Sequence, residues 1–253
     1  MTRSIWLFAA LLLAGMSAGA AAHEDAGPCE IPQQFVTSED TLSHVGAALA
    51  AKQPVEVLAI GSATTVGQDL MPQGTSFPYR MIEDMRAALH DADLRITVLG
   101  GRGLAASEML DLLRTALQRQ HFALVLWQTG TVEAVRGLPP EEFRAVLEQG
   151  IDAIAAQGGD TLLIDPQFSR FLQSQAELEP YEAVFREEDA RRGVIAFRRF
   201  DLMRQWAENG ELDLEHVSRD NRGPALDKLH GCLGTALSRL VVAAAAGSGA
   251  PHP

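Results

Sequence analysis

Residues 55–67 read VEVLAIGSATTVG, an apolar run ending in a turn framed by Gly61 and Gly67, with hydroxyls at Ser62, Thr64 and Thr65. A hydroxyl on a sharp turn after a strand can act as a nucleophile if three other parts are supplied. An imidazole must take its proton, a carboxylate must fix the imidazole tautomer, and N–H donors must face the developing oxyanion. The chain holds candidates for each. Asp227 and His230 stand three residues apart in Asp-Lys-Leu-His, and Gly100, Gly101 and Gly103 follow a second apolar run. Each also has a plainer use: a turn-stabilising hydroxyl at Ser62, a helix cap at Asp227, a tight turn at the glycines.

Taken together these segments resemble the SGNH (GDSL) hydrolases over about Val55 to Ala246. The first block of that family, Gly-Asp-Ser-Leu-Thr-x-Gly, has the same spacing between its glycines. On this register Ser62 falls at the Asp, Ala63 at the nucleophilic serine, Thr64 at the Leu and Thr65 at the Thr. The second block, Asn-x-Gly-x-x-Gly, aligns with Val98 to Gly103, and Gly103 matches the glycine whose N–H serves the oxyanion hole. The third, Gly-x-Asn-Asp, aligns with Gly130, Thr131, Val132 and Glu133, and the fourth, Asp-x-x-His, with Asp227 and His230.

The resemblance implies an ester hydrolase, a deacylase or esterase on acylated carbohydrate or another envelope ester. Asp227 would orient, His230 would act as base, Gly103 would donate to the oxyanion, and Ser62 or water would attack. It implies no cofactor. Two apolar residues, Ala63 and Val132, stand where that chemistry needs polar groups. Loss of a serine nucleophile costs on the order of 10⁶ in turnover, and loss of one oxyanion donor about 10² to 10³. Ser62 is one residue out of register, which turns its side chain away from the expected direction. The alternative is a degenerate member that binds a glycan or a protein partner without turning it over.

Other chemistries find less support. His23, His44, His90, His121, His216, His230 and His252 are scattered, with no paired metal-ligand spacing, so no metal site is expected. Arg102 and Leu104 break any dinucleotide fingerprint around Gly100 to Gly103. An aromatic content of 6% and a formal charge of -12 argue against a nucleic-acid surface. A flavodoxin-like binder stays open on fold grounds alone. Asp165 and Arg170 could bind a polar ligand or form surface ion pairs, and Glu133 reads as a solvated or helix-start carboxylate.

The elements that must position these residues follow from periodicity. Short apolar runs at Val55 to Ile60, Leu94 to Leu99, Phe122 to Trp127, Thr161 to Ile164 and Val194 to Phe197 read as buried strands. Helical spacing predicts helices over 41–51, 77–90, 106–118, 140–157, 180–190, 201–208 and 233–246, with Ser38 or Asp40 capping the first and Ser107 near the start of the third. Strands alternating with helices indicate an α/β class protein: a three-layer α/β/α sandwich, with a flavodoxin-like parallel sheet of about five strands. Ligands of such sheets sit outside the carboxyl ends of the strands.

Residues 1–22 carry Arg3, an apolar run from Ile5 to about Met16 and small residues offering A-x-A sites, which reads as a secretory signal. Its removal takes one positive charge and no negative one, so the charge moves from -12 to -13. An exported chain, periplasmic or secreted, with two cysteines is expected to bridge Cys29 and Cys232; two separate buried thiols are the other reading. The expected organisation is a signal over 1–22, an N-terminal segment and helix over 23–52, the hydrolase-like domain over 53–246 and a disordered tail over 247–253. No membrane span is expected after signal cleavage.

Overall fold

Apolar runs of four to seven residues can bury both faces only by lying side by side between layers of helices. In the computed structural model, which describes residues 29–67 and 74–247, they do so. β1 (Val55–Gly61), β2 (Leu94–Gly100), β3 (Leu124–Gln128), β4 (Asp160–Ile164) and β5 (Val194–Phe197) form one sheet in the order β2-β1-β3-β4-β5. Every neighbouring pair is parallel. The chain runs outward from β1 to β2 and then returns to β3 on the other side of β1. The carboxyl ends of β1 and β3 therefore flank the point where the winding reverses, where ligands of such sheets bind.

Among the described residues the helices are α1 (Ser43–Ala50), α2 (Ala63–Val66), α3 (Phe77–Ala88), α4 (Ala106–Leu117), α5 (Thr131–Arg136), α6 (Pro140–Ala156), α7 (Arg170–Gln175), α8 (Glu179–Glu188), α9 (Arg199–Glu208) and α10 (Arg222–Gly247). The strands alternate faces. Val57, Ala59, Leu124 and Leu126 share one apolar layer with α1, α3 and α10. Leu58, Ile60, Val125 and Trp127 share the other with α4, α6 and α8. The three-layer α/β/α sandwich is thus what the alternation predicts.

Helix boundaries depart from expectation where distant groups take over local roles. The first amides of α1 are held by Asp160 of β4, which accepts from His44 N–H at 2.9 Å and Val45 N–H at 3.0 Å. Neither Ser38 nor Asp40 caps that helix, whose N-cap is Leu42. The N-cap of α4 is Ala105, one residue beyond which Ala106 donates its N–H to Glu133. The largest difference is α10, which begins at Arg222 and not at Leu233. Gly223, Pro224 and Gly231, which precede the expected start, are weak helix formers. Pro224, in the first turn, loses no hydrogen bond, and Gly234 lets α10 approach α3: a Cβ there would lie 2.9 Å from Arg80 carbonyl carbon and Met81 N.

Cys29 and Cys232 are disulfide-bonded, with Cα atoms 5.7 Å apart, so the N-terminal segment is tied to α10. By length and composition α10 could cross a membrane, but its apolar side packs on α3 and α1 inside the core. The expected signal at 1–22 and the tail beyond Gly247 lie outside the described residues.

Candidate functional site

β1 ends at Gly61 because nothing larger fits: a Cβ there would stand 2.1 Å from Thr65 Oγ1 and 2.9 Å from Gln128 Oε1. Ser62 keeps extended backbone, Ala63 opens the single turn of α2, and Gly67 closes it at φ 72°. The turn is held by one acceptor. Gln128 Oε1, at the end of β3, accepts from Ser62 N–H at 3.1 Å. The hydroxyls of Ser62, Thr65 and Thr64 converge on the same oxygen at 2.9, 2.9 and 3.3 Å. Gln128 is 2% exposed, so these bonds form in a dry setting where an unpaired polar group is costly. Ser62 is a turn-holding hydroxyl in this arrangement, and Ala63, in the nucleophile position, carries none.

The second and third blocks meet through a buried carboxylate. Glu133, 1% exposed, accepts from Gly130 N–H at 2.9 Å, from Thr129 Oγ1 at 3.3 Å and from Ala106 N–H. It is a helix-start carboxylate, as expected, but a buried one that locks the β3–α5 turn to α4, not a solvated one. Gly130, at φ 91°, packs against Pro166 and Phe185, and Thr131 begins α5 with its hydroxyl buried and unpartnered. Val132 follows within α5, and Gly103, at φ 76°, gives its carbonyl to Arg136 at 2.7 Å.

Asp227 and His230 lie one turn apart inside α10, so Asp227 is not a cap. His230 is 2% exposed, stacked on Phe77 with ring centroids 5.9 Å apart. Its Nδ1 accepts the main-chain N–H of Phe77, at the start of α3, at 2.9 Å. Asp227 is turned outward into an ion pair with Arg80 at 2.7 Å. Among the described residues no hydrogen bond joins His230 to Asp227 or to Ser62. An Nδ1 that accepts places the neutral ring's proton on Nε2, the reverse of a serine-hydrolase base, whose Nδ1–H faces a carboxylate and whose Nε2 lone pair faces the hydroxyl. Burial, then the charge of Arg199, push the His230 pKa down to about 4 against the opposing pull of Asp227.

Two residues at the ends of β4 and β5 complete the buried polar set. Asp165 is 7% exposed, accepts Phe200 N–H at 2.9 Å and has its pKa pushed up to about 8, chiefly by burial. It forms no surface ion pair, whereas Arg170 does, with Asp213 at 2.8 Å. Arg199, the first residue of α9, is 2% exposed. Gln128, Phe77 and Arg199 carried no sequence signal beyond their positions next to strand or helix ends. A surface cavity of about 640 Å³ lies elsewhere, along the outer edge of β5, lined by Asp40, Asp189, Arg192 and Arg198 among others. Among the described residues no group of three or more His, Cys, Asp or Glu could hold a metal ion.

The sheet order and strand-end elbow define the three-layer fold of the SGNH-type ester hydrolases. A profile of the non-GDSL lipase-like family matches residues 28–247, and the chain belongs to that family. Solved structures of similar fold include the SGNH-hydrolase family esterase AlinE4, 20% identical, covering 68% of this chain and 89% of that one at a TM-score of 0.52. A lipolytic protein of the G-D-S-L family from Veillonella parvula is 14% identical, covering 71% and 95% at 0.55. A lipase/acylhydrolase from Enterococcus faecalis is 17% identical, covering 68% and 93% at 0.54. No curated protein matches the chain.

Proposed function

We propose that this protein is a lipase-family member that binds an acylated carbohydrate or a related envelope ester at its strand-end site without serine-mediated turnover. One observation carries the reading: the Phe77 N–H occupies His230 Nδ1, so the ring is in the tautomer that cannot take a proton through Nε2. Ala63 at the elbow agrees with it, as does the engagement of Ser62 with Gln128 and of Asp227 with Arg80. The ligand class is suggested by the lipase-like family and by the esterase and acylhydrolase among the similar structures. The disulfide supports an oxidising, exported setting.

The test is hydrolysis of p-nitrophenyl acetate and butyrate by wild type, Ser62→Ala, His230→Ala and Ala63→Ser, with binding of an O-acetylated oligosaccharide followed by calorimetry. The expected result is uncatalysed rates for all four and binding without acetate release. Ala63→Ser stays inactive because the base remains in the wrong tautomer. Wild-type turnover that disappears in Ser62→Ala or His230→Ala overturns the reading.

A further inference from the structure

Arg199 is a buried cation with an unpaired edge. Its Nε and Nη2 are sealed from solvent and have no hydrogen-bond partner, and among the described residues it forms no ion pair. These two nitrogens are the parallel donors of one edge of the guanidinium, the fork that takes two oxygens of a single carboxylate or phosphate. A buried charge left unpaired is strongly unfavourable, and a well-placed bidentate partner would offset part of that cost. The acid that acts on Arg199 electrostatically does not supply that partner. Asp165 interacts electrostatically with Arg199 but stays outside ion-pair distance, its Oδ1 occupied by Phe200 N–H.

We propose that Arg199 is the recognition point for an oxyanion, held bidentate through Nε and Nη2, on the ligand that enters at the carboxyl ends of β4 and β5. The position fits: Arg199 lies two residues beyond β5, Asp165 directly beyond β4, and His230 is close enough for its ionisation to be opposed by the arginine's charge. The electrostatics agree. Burial pushes the Asp165 pKa up to about 8, which disfavours the charged carboxylate that would offset Arg199. This deepens the binding reading above by naming a group its ligand carries, but the test does not depend on turnover.

The experiment uses the mature disulfide-bonded protein, ¹⁵N-labelled, titrated at constant ionic strength with sodium acetate, sodium phosphate and, as control, sodium chloride. The expected result is a saturable shift of the Arg199 Nε–H resonance with acetate or phosphate and none with chloride. The tighter of the two probes tells a carboxylate ligand from a phosphate one. Arg199→Lys, which keeps the charge without the fork, should weaken binding by ~tenfold or more, and Arg199→Gln should abolish it. No saturable shift in wild type overturns the proposal, as does equal affinity in wild type and Arg199→Gln. If Arg199→Gln does not fold, the lysine variant and the wild-type resonance decide between the outcomes. Anion binding together with ester turnover would overturn only the non-hydrolytic reading, and neither binding nor turnover would overturn only the anion site.

Discussion

On the proposed non-hydrolytic reading, single side chains, more than the backbone, set this site apart from a serine esterase. Ser62 stands beside the vacant serine position, yet Gln128 has claimed its hydroxyl, and His230 has spent its Nδ1 lone pair on Phe77. The buried titratable residues leave a mark on stability. Asp165 is pushed up to about 8 from an ordinary value of 3.8, so between these pH values the folded state holds a proton that the unfolded chain has released. Stability therefore falls as pH rises through that window. His230, lowered from 6.5 to about 4, acts oppositely: stability falls as pH drops from 6.5 towards 4. Between pH 6.5 and 8 the Asp165 slope stands without that opposition, and is at most about 1.4 kcal/mol per pH unit. Urea midpoints should fall from pH 6.5 to pH 8 in wild type and change less in Asp165→Asn. Identical pH dependence in the two would show that Asp165 ionises normally. Ala63, His230 and the glycine turns stood out in the sequence as candidates because each belongs to a short motif of local spacing. Gln128, Phe77 and Arg199 did not, since each matters only through a partner 31 to 153 residues away: Gln128 for Ser62, Phe77 for His230, Arg199 through its proximity to His230.

Among the elements, the α3–α10 pair places the histidine. α3 begins at Phe77, whose amide meets His230, and further along the two helices are in close contact at Gly234. A Cβ at Gly234 would stand 2.4 Å from Arg80 Cβ and 2.9 Å from main-chain atoms of Arg80 and Met81. Main chain cannot swing aside as a side-chain tip can. Gly234→Ala should gain about 1 kcal/mol of helix propensity and lose more, roughly 1–3 kcal/mol, to overpacking, for a net loss of stability. Thermal denaturation checks this, and a raised Tm would mean that the helices separate freely. The same packing explains why α10 was read eleven residues too short. Gly223, Pro224 and Gly231 are weak helix formers in isolation, and burial of Leu229, Leu233, Ala236 and Leu237 outweighs that preference. Strong, regular elements such as α3, α4 and α6 were legible to within two residues because their apolar stripes are local properties of the chain.

For the molecule as a whole, the Cys29–Cys232 bond spans a sequence separation of 203 and restricts the unfolded chain over nearly its whole described length. Losing it in a Cys29→Ser, Cys232→Ser double variant should cost about 2–5 kcal/mol. Urea denaturation beside the oxidised wild type measures this, and an unchanged midpoint would show that the bond contributes nothing to stability. The α/β/α layering, the parallel sheet and the elbow's location were determined by the sequence alone, because apolar periodicity and glycine turns act over a few residues. So was the absence of a serine hydroxyl at position 63. What His230 can do was decided only by the tertiary structure. Its tautomer depends on which donor reaches Nδ1, its charge on how deeply three layers bury it, and the unpaired state of Arg199 on which acids the sheet brings near. Those are properties of distances between strand ends, and no local pattern in the chain encodes them.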